Sequence, residues 1–132
     1  MRDPNNPCLF CHLKKNEKDH ENDYAFVSYD SYPVSKYHCL IIPKRHVIDY
    51  FDLSKEELIA CDKLIKIIKN EIELKDQSVK GFNLGTNIGK VSGQSILHCH
   101  FHLIPRRDGD VENPQGGVRS VIPSKQHYKR VK

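Results

Sequence analysis

The 132 residues hold 38% hydrophobic and 29% charged side chains, which suits one compact domain and is too short for two. No window approaches the roughly eighteen apolar residues that cross a bilayer, the N-terminus lacks the apolar run of a signal peptide, and five cysteines is an odd count for a disulfide framework, so a soluble protein of a reducing cytoplasm is expected. Twenty-one Lys and Arg against seventeen Asp and Glu leave a formal charge of +4, which fits an anionic ligand without separating a nucleotide from a nucleic acid.

In chain order, Cys8-Leu9-Phe10-Cys11 forms a thiol pair after Pro4 and Pro7, and the polar stretch from Lys14 to Asp23 has no apolar periodicity and predicts a loop. Tyr24-Ala25-Phe26-Val27-Ser28-Tyr29 predicts a strand, Asp30-Ser31-Tyr32-Pro33 a turn, and Tyr37-His38-Cys39-Leu40-Ile41-Ile42 a second strand that Pro43 ends. Ser54-Lys55-Glu56-Glu57 reads as a capping box, and Leu58, Cys61, Ile65, Ile68 and Ile72 then form one stripe of a helix of about five turns. Lys63, Lys66 and Lys69 on that helix read as a solvated face balanced by Glu56, Glu71 and Glu73, so no specific nucleic acid is expected. Gly81 to Asn87 predicts a third strand, and the loop Gly89 to Gly93 lacks the pattern of a phosphate-binding P-loop. After a run from Ile96 to Ile104 and Pro105, the chain turns to Arg106, Arg107, Asp108 and Gly109, then Asn113-Pro114, Gly116-Gly117 and a basic end: an ordered flap or a frayed terminus.

The run from Ile96 to Ile104 carries the chemistry. Read as a strand, it sets Ile96, His98, His100, His102 and Ile104 on one face and Leu97, Cys99, Phe101 and Leu103 on the other. The second face is core. The first aligns three imidazoles about 6.6 Å apart, which packing does not require. Imidazoles at that spacing can ligate a metal, move protons or attack phosphorus, so a three-histidine zinc hydrolase is one reading. Cys8-x-x-Cys11 is half of a tetrahedral zinc site, and His12, His20, His38, His46, His98 and His127 are candidates for the other half; spacing does not choose among them.

His98-Cys99-His100-Phe101-His102-Leu103-Ile104 resembles the signature of the histidine triad (HIT) family. Asp30 and Pro33, His38, Leu40-Ile41-Ile42-Pro43-Lys44-Arg45-His46, Asn87 and Gly93-Gln94-Ser95 are similar to family positions in the family order, over about residues 8 to 107. The resemblance implies an α+β, histidine-triad-like fold with a mostly antiparallel sheet and one long helix, homodimeric, with residues 1–108 as the domain and 109–132 as its C-terminal extension. It implies an enzyme that breaks a bond at the α-phosphate of a nucleotide. His100 would be the nucleophile, His102 would assist charge and orientation, and Gln94, Ser95 and Asn87 would contact the phosphate or leaving group. Asp30 would bind the ribose hydroxyls, and an Asx turn before Pro33 is compatible with that role; for Asn87 a turn cap beside Gly89 is the alternative. Cys8, Cys11, His46 and His98 would hold a structural zinc.

Two further features bear on the branch. His102 stands where the sugar nucleotidyltransferase branch has glutamine, and Tyr37 stands where many members have glycine. Arg106-Arg107-Asp108-Gly109-Asp110 is similar to members that split dinucleoside polyphosphates, so hydrolysis of a diadenosine-tetraphosphate-like purine nucleotide is the expected function. A phosphorylase, a nucleoside phosphoramidase and a nucleotide-binding module without turnover are the alternatives.

Overall fold

The computed structural model describes residues 8–13 and 19–130. In chain order the described elements are β1 (His20–Glu21), β2 (Ala25–Tyr29), β3 (Cys39–Pro43), α1 (Lys55–Lys75), β4 (Val79–Gly85) and β5 (Phe101–Arg107). All pairings are antiparallel and the spatial order is β1-β2-β3-β5-β4, so the last strand lies between β3 and β4. No helix among the described residues is long and apolar enough to cross a membrane.

Period-two alternation divides the sheet between two cores. Ala25, Val27, Cys39, Ile41, Cys99, Phe101 and Leu103 pack toward α1, meeting Ala60, Cys61, Leu64, Ile68 and Ile72. Phe26, Leu40 and Ile42 point the other way and gather Cys8 and Phe10. That second face carries the histidines.

The helix begins as the sequence predicts. The Ser54 hydroxyl accepts from the Glu57 amide at 3.1 Å and the Glu57 carboxylate accepts from the Ser54 amide at 2.9 Å, a pairing whose loss costs about 1 kcal/mol. Buried Glu57 also takes two bonds from Arg45, at 2.7 and 3.0 Å, which hold its carboxyl below the usual carboxylate range. Because Arg45 precedes His46, the start of α1 is tied to the segment that carries a candidate metal ligand. The helix runs 21 residues, nearer six turns than five, and its inner stripe is rotated from the expected one: Leu58 is 38% exposed, while Leu64 and Ala60 are buried.

Three other expectations are corrected. Part of the predicted loop from Lys14 to Asp23 is strand β1, while residues 14–18 lie outside the described residues. Pro105 lies inside β5; its carbonyl accepts the Ser35 hydroxyl at 2.7 Å, so its N–H-less nitrogen faces the side where the β3 ladder has already stopped at Leu103. The strand expected from Ile96 starts at Phe101. The β3–β5 register, carried two residues back, would set Pro43 opposite Cys99, and Pro43 has no amide to give; the Cys99 amide bonds Val47 O at 2.7 Å instead. Residues 96–100 are therefore irregular, and Leu97 is 57% exposed rather than core.

Tyr37 has φ 74°, a left-handed conformation that costs a side-chain-bearing residue about 1–2 kcal/mol and explains why glycine suits this position. At the far end, the chain after β5 folds back on itself. His127 Nε2 donates to Asn113 O at 2.9 Å, Gln126 Nε2 donates to Gln115 O at 3.3 Å, and Gly116, at φ 90°, lies where a Cβ would stand 2.1 Å from Gln126 O. Of the two readings of this tail, it is the ordered one that the fold contains.

Candidate functional site

Two clusters of side chains flank the segment from His98 to His102. In the first, the ligand atoms of Cys8, Cys11, His46 and His98 lie within 4.8 Å of one another. His98 is fully buried, its Nδ1 is 3.2 Å from Cys8 Sγ and 3.5 Å from Cys11 Sγ, and its Nε2 is 2.7 Å from Pro43 O. A carbonyl only accepts, so the proton sits on Nε2 and the Nδ1 lone pair faces the thiols, the second-sphere arrangement of a metal-ligating histidine. His46 Nδ1 completes the group 3.3 Å from Cys11 Sγ. Two thiols and two imidazole nitrogens fit zinc by donor type and number, and four protein ligands leave no open position, so such an ion would stabilise the fold.

The second cluster is a chain of imidazoles. The Val34 amide donates to His38 Nδ1 at 3.1 Å, and an amide only donates, so neutral His38 carries its proton on Nε2. That N–H meets His102 Nδ1 at 2.9 Å, which leaves His102 protonated on Nε2. Asp30 Oδ2 lies 3.4 Å from His38 Nε2 and 4.0 Å from His102 Nδ1. Asp30, His38 and His102 are close enough to share an ion, yet the Val34 amide commits His38 Nε2 to a proton and makes it a poor ligand. His100 is the reverse of His102. Its Nδ1 donates to His98 O at 2.8 Å, so its Nε2 is a bare lone pair. Burial lowers both pKa values, that of His102 to about 4, with His100 and His38 adding repulsion there.

A cavity of about 540 Å³ opens beside these rings, with Phe10, Leu13, Leu40 and Ile96 as apolar wall and Asp30, Asn87, Ser95, His100 and His102 as polar groups. Phe10 packs edge-on against His100 at 5.0 Å. The Asp30 Oδ1 accepts from the Tyr32 amide at 2.8 Å, the expected Asx turn, while Oδ2 faces the histidines.

A family model described as the HIT domain matches residues 14–109. An uncharacterised HIT-like protein of Methanocaldococcus jannaschii is 35% identical over 120 residues, covering 86% of this chain and 91% of that one. The chain belongs to the HIT family. An adenosine 5'-monophosphoramidase of Saccharomyces cerevisiae is 34% identical over 105 residues, 76% of this chain and 63% of that one. The crystal structure of a Zn-bound histidine triad family protein from Mycobacterium smegmatis superposes with a TM-score of 0.71 at 28% identity, covering 79% of this chain and 78% of that one.

Of the site residues expected from sequence, this HIT domain brings His100, His102, Ser95, Asn87 and Asp30 to one cavity and the four sulfur and nitrogen ligands to one cluster. Gln94 is elsewhere. It is buried, its amide donates to Ile48 O at 2.6 Å and Ile96 O at 3.2 Å and accepts from Gly89 N at 3.0 Å, so it braces the loop that presents Ser95. The sequence reading passed over Thr86, whose hydroxyl donates to His100 O at 2.7 Å and fixes the backbone there; its place beside Asn87 is the one signal that could have marked it. A second cavity of about 740 Å³ shares Asn87 and His102 with the first and is walled by the C-terminal extension, from Asp110 through Gln126.

Proposed function

We propose that this HIT domain hydrolyses a nucleotide conjugate joined through a single phosphate, of the nucleoside 5'-phosphoramidate kind, through a nucleotidyl-His100 intermediate. The observation that carries this reading is the bond from His100 Nδ1 to His98 O, which aims an unprotonated Nε2 at the cavity. The nucleoside would lie against Phe10, Leu13 and Ile96 with its ribose hydroxyls on Asp30. His100 Nε2 attacks the α-phosphorus, a P–N bond forms, and the bond to the leaving group breaks, the leaving group taking its electron pair and a proton from water. Nδ1 keeps its proton, and the His98 carbonyl that accepts it stabilises the cationic ring. His102 Nε2–H, Ser95 and Asn87 are neutral donors for the phosphate oxygens. Water then attacks phosphorus and gives its proton to the hydroxide left by the first step, the P–N bond breaks with its electron pair returning to His100 Nε2, and a nucleoside monophosphate leaves.

The charges argue for one phosphate rather than several. Arg106 and Arg107 carried the expectation of a dinucleoside polyphosphate, and both are engaged by other protein groups, Arg106 in the wall of the second cavity. Arg106 binds Asp110 through two bonds of 2.8 Å and Asn83 at 2.7 Å, and Arg107 binds Asp76, Ser78 and Lys36 O. Among the described residues no lysine lines either cavity, and the arginine in the wall of the second, Arg106, is paired with Asp110 in a wall that also holds Glu112. A phosphate chain needs unpaired cations, which the described parts of these walls do not offer, whereas an uncharged or amine-bearing leaving group fits.

The C-terminal extension, residues 109–132, would then select the leaving group, and a homodimer would form as in the family, with the outer strand β4 available for pairing; sedimentation tests the latter. The function is tested by incubating the protein with adenosine 5'-phosphoramidate and with diadenosine tetraphosphate, with and without inorganic phosphate. Release of adenosine monophosphate from the phosphoramidate, with an acid-labile adduct on a peptide containing His100, supports the reading. Turnover of diadenosine tetraphosphate alone would replace the substrate class, and an adduct on another residue would end the mechanism.

A further inference from the structure

Among the described non-glycine residues Tyr37 alone has positive φ, and it immediately precedes His38. A bulky side chain in that conformation persists only where neighbouring groups hold it. Lys36 Nζ lies 5.1 Å from the Tyr37 ring centroid, and a nearer cation comes from the end of α1. Lys75, the last helical residue, places its Nζ 4.4 Å from the Tyr37 ring centroid and 5.2 Å from the Tyr29 ring centroid, and donates to Tyr29 Oη at 2.7 Å. The two rings lie 6.2 Å apart.

One ammonium therefore grips the residues just ahead of Asp30 and just ahead of His38. Tyr29 pairs with Cys39, and the Asp30 amide donates to His38 O at 3.0 Å, so the gripped backbones are also bonded to each other. Asp30 and His38 are the two groups that face His102 Nδ1. We infer that Lys75 is a positioning residue: by holding Tyr37 in its left-handed conformation against Tyr29, it sets the aim of His38 and Asp30 on His102. Lys75 touches neither cavity wall except through Tyr29, so its influence runs through backbone geometry. The inference rests on the proposed function only for its kinetic readout.

The test compares Lys75→Met, Lys75→Arg and Tyr37→Gly with the unaltered full chain, using adenosine 5'-phosphoramidate as substrate and nitrogen NMR of the histidine rings as a readout independent of turnover. Lys75→Met should lower kcat about fivefold with KM within about twofold, and Lys75→Arg, which keeps a cation over the rings and a donor for Tyr29, should recover most of the loss. Glycine adopts the conformation without help, so in the Tyr37→Gly background the further loss from Lys75→Met should shrink below about twofold. In the ring spectra, His38 should be a single tautomer protonated on Nε2, and Lys75→Met should mix in the other. Unchanged kcat in Lys75→Met, or an equal loss in both backgrounds, overturns the inference. If the protein turns over no phosphoramidate, the proposed function fails while the ring spectra still decide: an unaltered His38 tautomer in Lys75→Met overturns the positioning role.

Discussion

His98 and His102 sit four residues apart on the same segment and behave as different chemical groups. His98 is protonated on Nε2 by the demand of Pro43 O, and its Nδ1 meets two thiols. His102 is also protonated on Nε2, but its Nδ1 accepts a proton-bearing imidazole whose own tautomer is set by the Val34 amide. Between them, His100 has the opposite tautomer. The difference is imposed by backbone groups, two carbonyls and one amide, that the residue type does not reveal. It gives the first cluster the donor set of a metal site, makes the second a fixed hydrogen-bond donor, and leaves His100 with the free lone pair.

That contrast can be broken at its centre. His100→Ala should lose about three orders of magnitude or more in turnover while nucleotide affinity stays within a few-fold, since it deletes the covalent route and spares Asp30, Asn87 and Ser95; single-turnover kinetics with calorimetry read both. On the metal side, Cys8→Ser should lower zinc content well below one ion per chain and the thermal midpoint by roughly 10 °C, because ligand loss removes binding energy that is folding energy. Full zinc by elemental analysis in that variant would dissolve the first cluster. On the donor side, Asp30→Ala should weaken nucleotide binding several-fold, with a smaller effect for deoxyribose nucleotides, measured by titration calorimetry.

The smallest effect is a pH slope. His102 titrates near 4 in the fold and near 6.5 when unfolded, so between these values the unfolded chain binds more protons. Stability should therefore fall as the pH drops from 6.5 toward 4, and His102→Gln should flatten that fall in a series of thermal midpoints measured against pH.

Much of this was legible in the residues. The capping box at Ser54, the strands β2 and β3, and the split that sends Cys99, Phe101 and Leu103 to the core all follow from local pattern, because capping and alternation are decided by near neighbours. The ligand set Cys8, Cys11, His46 and His98 was reached only by resemblance, since its members come from three separate segments. What local pattern could not show was set by distant backbone. Pro43 deprives Cys99 of a ladder partner, and the start of β5 moves; the Gly89, Ile48 and Ile96 backbones absorb Gln94, and a polar side chain next to the site becomes a brace. The pairing of Arg106 with Asp110 was four residues apart and visible in principle, but whether it leaves a charge for substrate depends on Asn83 across the strand.

Gly116 gives the C-terminal extension a particular failure mode. Its α-carbon leaves no room for even one methyl beside Gln126 O, so the two ends of the loop close backbone against backbone like a buckle. A buckle does not loosen by degrees. Nested deletions from the C-terminus should therefore be silent until they reach the closing contacts of Tyr128, His127 and Gln126 and then release the whole segment, the same end state that Gly116→Ala should produce with the chain at full length. Leaving-group selectivity, read as the ratio of kcat/KM between two phosphoramidates, should follow a single step across such a series, with little change in affinity for adenosine monophosphate.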